Sequence, residues 1–144
     1  GSESLEREEK EGAWFDASAA RFACLAADTV VLNIWAQDVA RSITQRTPPG
    51  GQHLFDGLAE GLYAASSSRS TKQRLLLVFR DMTNIPGCGI DRLEGVIRSE
   101  LERAWRVASG ALLSAGPERA RGHLTACVDI QCFGLPHHKR KREE

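Results

Sequence analysis

No stretch of this 144-residue sequence approaches the roughly 18 consecutive apolar residues that a bilayer-spanning helix requires. No basic leader followed by a short apolar core opens the chain either, so neither a membrane span nor a secretory signal is expected, and the segment should be soluble. An excess of charge is lacking as well: 19 Lys plus Arg stand against 19 Asp plus Glu. That balance removes the case for a nucleic-acid or lipid-surface partner. Cysteine is sparse, with Cys24, Cys88, Cys127 and Cys132 the only four. A chain this long and apolar does not need disulfide staples, so the thiols should be reduced, in a cytosolic setting. Each reads as a small apolar side chain, buried or half-buried.

What is present suffices for one core. Hydrophobic residues make up 42% of the chain, and a globular chain of this size buries roughly 68 to 70% of the surface its unfolded form exposes, so one domain is expected. Gly1 and Ser2 read either as the scar of a removed tag or as the interior of a longer reading frame. Residues 1–12 are crowded with Glu, as in a solvated leading segment or the frayed first turns of a helix. Residues 13–138 carry the periodic sequence of a domain, and 139–144 form a charged tail with nothing to pack.

Within the domain, Phe15, Ala19, Phe22 and Ala26 recur at helical spacing, so Ala13 to Ala26 is expected to be a helix with one apolar face. Thr29 to Trp35 is a β-branched run and a strand. "TPPGG" marks a loop, and Leu54, Leu58 and Leu62 space out a second helix that "SSSRS" ends. Leu75 to Phe79 is a continuous apolar run, as in a strand buried on both faces. A third helix follows, with Asp91 as its expected N-cap and Glu94 three residues on. Leu93, Ile97, Leu101, Ala104 and Ala108 form its buried stripe, while Glu94, Arg98, Glu102 and Arg106 alternate in sign on a solvated face. Leu124 to Phe133 alternates apolar and polar residues like a third strand.

Helix and strand thus alternate three times. The pattern predicts an α/β fold: a three-layer, mostly parallel sheet with right-handed crossover helices on its faces. The strand ends "WAQD", "RDMT" and "GLPHH" should then share one edge, where open parallel sheets bind ligands. Arg80 and Asp81, just past the carboxyl end of an apolar strand, are therefore a site candidate. A carboxylate can accept together the N1–H and the exocyclic amine of guanine, whereas adenine would turn its acceptor N1 toward the same lone pairs. The planar guanidinium of Arg80 could lie against a base. Spacing alone leaves two other readings open, a surface ion pair or a loop-capping Asp.

The context of the pair points further. With "AADTVVLNIWAQDVAR" before it and "CFGLPHHK" after it, "LLLVFRDMT" resembles the atlastin-like branch of dynamin-superfamily GTPases, and within that branch the Sey and root-hair-defective group. Asn33, Ile34, Trp35, Asp38 and Val39 match one block of that group, and Arg80 and Asp81 a second. Trp105 matches its helix with a Trp near the end, and Leu135, Pro136 and His137 its last block. The resemblance implies the C-terminal half of a P-loop GTPase domain, with Asp81 as the guanine-specificity carboxylate, Arg80 packing the base, and Leu135, Pro136 and His137 in a cap over it. It further implies GTP as ligand with Mg2+, and a homodimer through the GTPase domain of the full protein. Endoplasmic reticulum membrane fusion and tubular network organisation, from the cytosolic face, complete what it implies.

The sequence departs from that family where phosphate chemistry would be. No GxxxxGK[ST] loop occurs in it, nor the Asp-Thr-Glu-Gly magnesium segment, so the chain should bring no catalytic residue and no magnesium ligand of its own and, alone, should not hydrolyse GTP. In the related strand order the phosphate-loop strand pairs beside Thr29 to Trp35, so that edge is expected to be bare and the chain marginally stable or self-associating. Two alternatives stand beside this reading. Cys127, Cys132, His137 and His138 are ligand types in a short stretch, but residues five apart in one strand point to opposite faces, which disfavours a metal module. A non-enzymatic interaction protein, a degenerate GTPase remnant working through the basic "KRKR" of residues 139–142, is the other.

Overall fold

The computed structural model describes residues 2–49, 51–82, 88–113 and 123–136 of the protein. In chain order they form α1 (Ser2–Ala26), β1 (Thr29–Trp35), α2 (Ala36–Gln45), α3 (Gln52–Ser66), β2 (Gln73–Arg80), α4 (Ile90–Leu113), α5 (Leu124–Cys127) and β3 (Val128–Gly134). The strands make one parallel sheet in the order β1-β2-β3, with Leu32 level with Leu77 and Leu77 level with Cys132. The α/β class, the parallel strands and the crossover helices are as the alternating pattern predicts. His137, His138 and the charged tail lie outside the described residues.

The layering differs from the expectation. Val30, Leu32, Ile34, Leu75, Leu77, Phe79, Val128 and Ile130 are buried beneath the helices. On the other face Thr29, Val31, Asn33, Trp35, Asp129, Gln131 and Phe133 are exposed, and Leu76, Val78 and Arg80 are half-buried. The described residues therefore build two layers rather than three. Right-handed crossovers that always step to the next strand in the same direction return along the same side of the sheet, so one face stays uncovered.

The helix α1 runs through the Glu-rich segment without a break, so residues 2–12 are first turns of a helix, the second of the two readings, and all of them are exposed. Its apolar stripe also turns the other way from the expectation, with Phe15 65% and Phe22 73% exposed. Close approach to α3 is the reason. A Cβ added at Gly57 would lie 2.3 Å from the Ala17 carbonyl oxygen, and one at Gly61 would lie 2.7 Å from Cys24 Cβ. Two backbones this near accept only the small-residue side of α1, and a phenylalanine ring has no room between them. Arg21 and Glu60 close one flank of the contact with an ion pair.

The carboxyl end of α1 is tied down by the start of β2. Gln73 is 3% exposed, and its Nε2 donates to the carbonyls of Cys24 and Ala27, each at 2.7 Å. Arg69 donates to the same Ala27 carbonyl and pairs with Asp28. These bonds satisfy carbonyls that a helix terminus otherwise leaves open. The α4 stripe is as expected, with Leu93, Ile97, Leu101, Ala104 and Ala108 all buried. Trp105 meets Tyr63 edge to face at 5.1 Å between ring centroids.

Three local expectations change. Asp91 lies inside the first turn of α4, which begins at Ile90, so it complements the helix dipole rather than capping the helix. The charged face of that helix is not wholly solvated, because Arg98 pairs with Glu94 at 3.0 Å and donates to the Ile130 carbonyl at 3.1 Å. The third strand begins at Val128, since Leu124–Cys127 closes a helical turn first. "AQDVARS", which the pattern leaves unassigned, falls in α2, where Ala36, Val39 and Ser42 are buried.

Two outcomes follow from this packing. In a helix interior Gly→Ala ordinarily stabilises by up to about 1 kcal/mol, and Gly95→Ala should do so, because nothing lies within 4 Å of the added methyl. Gly57→Ala should instead destabilise by about 1–3 kcal/mol through overpacking; urea denaturation of both variants reads the opposite signs. Since β1 pairs on one side only among the described residues, the chain alone should self-associate in sedimentation velocity, and Val31→Lys should reduce this. A monomer with sharp, cooperative unfolding would contradict the bare-edge reading.

Candidate functional site at the carboxyl edge of the sheet

The parallel register delivers the three strand ends to one edge. Trp35, the last residue of β1, is level with Arg80, the last of β2, and Phe79 is level with Gly134, the last of β3. Just beyond, the ladder changes. The Leu135 N–H donates to the Phe79 carbonyl at 2.8 Å, and the Met82 N–H donates to the Leu135 carbonyl at 2.9 Å. In a regular parallel ladder the two bonds of one residue straddle a single residue of its neighbour. Here they straddle two, Arg80 and Asp81, so the end of β2 carries a bulge.

Asp81 takes the strain of that bulge in the left-handed region, with φ 53°. Asp is among the few residues that tolerate this conformation. The bulge also frees Asp81 from strand alternation. A regular continuation would send residue 81 to the helix-covered face with Phe79, where a lone carboxylate would be costly to bury. Bulges beside functional sites commonly re-aim a side chain in this way. Asp81 is instead half-buried, with no hydrogen-bond or ion-pair partner among the described residues.

Arg80 does not pair with Asp81, which sets aside the ion-pair reading. Its guanidinium carbon sits over the Trp35 ring, 4.2 Å from the centroid. Its Nε is buried without a hydrogen-bond partner. Arg7, Arg21, Arg41, Arg69, Arg98 and Arg103, by contrast, each meet a carboxylate. Leu135 and Pro136 are exposed at the same edge, and the backbone of Leu135 clamps the bulge. Gly134 leaves little room there, since an added Cβ would meet Met82 Cγ and Ile90 Cδ1 at 3.2 Å. His137 lies outside the described residues. The structure therefore brings Arg80, Asp81, Leu135 and Pro136 together. It adds Trp35, whose place in the site is visible only through the strand register.

The argument against a metal module changes too. Cys127 is in α5, not β3, so the opposite-faces argument does not apply to it. Among the described residues no cluster of three or more His, Cys, Asp or Glu could hold an ion. None of the four cysteines is in a disulfide. Burial pushes the Cys24 thiol up from its ordinary 9.0 to about 12. Burial, and then the nearby Glu94 carboxylate, push Cys132 up to about 11.

No family model matches the chain, and no solved structure matches it. Among curated proteins it is similar to the rice (Oryza sativa subsp. japonica) Protein ROOT HAIR DEFECTIVE 3 homolog 1, 27% identical over 145 residues, which cover all of this chain and 15% of that protein. The homolog 1 of Arabidopsis thaliana is 30% identical over 105 residues, 73% of this chain and 12% of that protein. The rice Protein ROOT HAIR DEFECTIVE 3 is 29% identical over the same shares. The chain spans no more than 15% of the length of these relatives.

The raised Cys24 thiol sets a pH dependence. Between about pH 9 and pH 12 the unfolded chain loses this proton while the folded chain keeps it. The stability it contributes is therefore full below that window and falls as pH rises, by about 1.4 kcal/mol per pH unit for one thiol. Urea unfolding from pH 8 upward should show this decline, and Cys24→Ala should make it shallower, with the raised Cys132 thiol supplying a remainder. At neutral pH Cys24 should resist a thiol reagent until the chain unfolds.

Proposed function

We propose that this relative of the ROOT HAIR DEFECTIVE 3 proteins is the base-reading part of a dynamin-like GTPase, with Asp81 accepting guanine N1–H and N2–H and Arg80 packing against the base. Asp81, lifted out of strand alternation by the bulge and without a partner among the described residues, is the observation that carries the reading. A buried carboxylate built only for structure is expected to find a donor, and no described residue gives Asp81 one, at the edge where parallel sheets bind ligands. Guanine fits that acceptor pair, and adenine would set lone pairs against lone pairs and leave the charge unpaired. Leu135 and Pro136, exposed beside the bulge, would border the base, with His137 beyond them in the same cap.

In this proposal the chain supplies recognition, not phosphate chemistry. It holds no GxxxxGK[ST] loop, so the phosphates and Mg2+ are handled by other parts of the polypeptide, which hydrolyses GTP. No described helix is long and apolar enough to cross a membrane. The complete protein would act in endoplasmic reticulum membrane fusion and tubular network organisation from the cytosolic face, as a homodimer through its GTPase domain. The support for this wider role is the kinship alone.

The test is base selectivity in the complete protein. Two hydrogen bonds to a charged acceptor contribute about 1.5–3 kcal/mol each, so Asp81→Ala should weaken GDP binding by roughly two orders of magnitude or more and relax discrimination against ADP. Asp81→Asn offers one donor and one acceptor, and should shift preference toward a xanthine nucleotide, whose ring edge presents the matching pair. Isothermal titration with the three diphosphates decides; unchanged guanine selectivity would remove Asp81 from the role.

A further inference from the structure

We infer that Trp35 is a positioning residue for the base site, holding the Arg80 guanidinium flat as the middle tier of an indole–guanidinium–guanine stack. The inference rests on the base-reading proposal and adds a residue that the proposal does not use. Trp35 closes β1, and the register sets it level with Arg80 on the uncovered face of the sheet. Its ring is 46% exposed, so core packing does not explain a tryptophan there. Its contact is with the guanidinium, at 4.2 Å from the centroid.

Arg80 needs such a support. A long, rotamer-rich side chain makes a poor platform unless something fixes its plane. Neither a hydrogen bond nor an ion pair does so among the described residues, and the Arg80 Nε is buried without a partner. The indole face is what remains to hold it, through the attraction of a cation to the ring quadrupole. In the inferred stack one face of the guanidinium lies on Trp35 and the opposite face would take the purine, beside the Asp81 carboxylate that reads its edge. Stacking is indifferent to the Watson–Crick edge, so affinity and selectivity divide between the two residues: Trp35 and Arg80 hold any purine, and Asp81 chooses guanine.

That division gives the experiment. In the complete protein, Trp35→Leu should weaken GDP and ADP binding alike by roughly three- to thirtyfold, with the GDP-to-ADP ratio kept. Trp35→Phe, which retains an aromatic face, should bind within about threefold of the parent. GDP should quench tryptophan fluorescence in the parent, and the Trp35→Phe protein should lose that signal while still binding. Binding by Trp35→Leu equal to the parent would overturn the inference, as would equal losses in Leu and Phe variants that follow a fall in melting temperature. If Trp35→Leu fails to fold, the fluorescence comparison decides, since quenching that survives in Trp35→Phe also overturns it. Asp81→Ala run in parallel separates the two ideas. Lost selectivity there with an unaffected Trp35→Leu sinks only the stack, whereas unchanged selectivity in Asp81→Ala sinks the base-reading proposal itself.

Discussion

The register of the three parallel strands is the constraint on which the rest depends. Because Leu32, Leu77 and Cys132 are level, the covered faces of all three strands meet the helices together and the carboxyl ends reach one edge together. A slip of one residue would turn every side chain of a strand to the opposite face. The apolar residues Leu75, Leu77 and Phe79 would then face the open side, and Trp35 would lose Arg80. The hydrophobic core and the candidate site are thus held by the same ladder of backbone bonds.

The helices answer to a different constraint, the space between α1 and α3. Gly57 and Gly61 leave no room for side chains on that line, and the backbone of α1 settles against them at Ala17, Arg21 and Cys24. Close contact of this kind gains dispersion along two helices at once. The larger residues Phe15 and Phe22 are displaced to the surface as a result. Gln73 then locks the end of α1 to β2, so the helix layer and the sheet layer are joined at the amino edge, away from the candidate site.

At the opposite edge order gives way to local strain. One extra residue in β2, a left-handed Asp81 and a two-bond clamp from Leu135 replace the regular ladder. Unusual backbone of this kind persists where the surroundings over-determine it, and it is commonly met at functional sites. Here the covered face lies under Phe79 and the open face carries Arg80 on Trp35. Asp81 belongs to neither alternation, and the proposed chemistry depends on that freedom.

The sequence by itself determined the class of fold and the position of the charged pair. Continuous aliphatic runs cannot be helices of that length with turn signals at both ends, and the Leu93-to-Ala108 stripe has a period that only an α-helix satisfies. Arg80 and Asp81 follow from the same logic, since charges are excluded from the run and can only come after it. Only the tertiary structure decided which face of α1 is buried, because periodicity marks an apolar face without knowing what approaches it. It also decided where β3 begins, since the apolar alternation of Leu124, Ala126, Val128 and Ile130 passes unbroken through the turn of α5. The number of layers, the bulge at Asp81 and the contact of Trp35 with Arg80 likewise come from pairing between segments about 45 to 55 residues apart. Local propensity carries no term for partners that distant, and the register of the sheet supplies it.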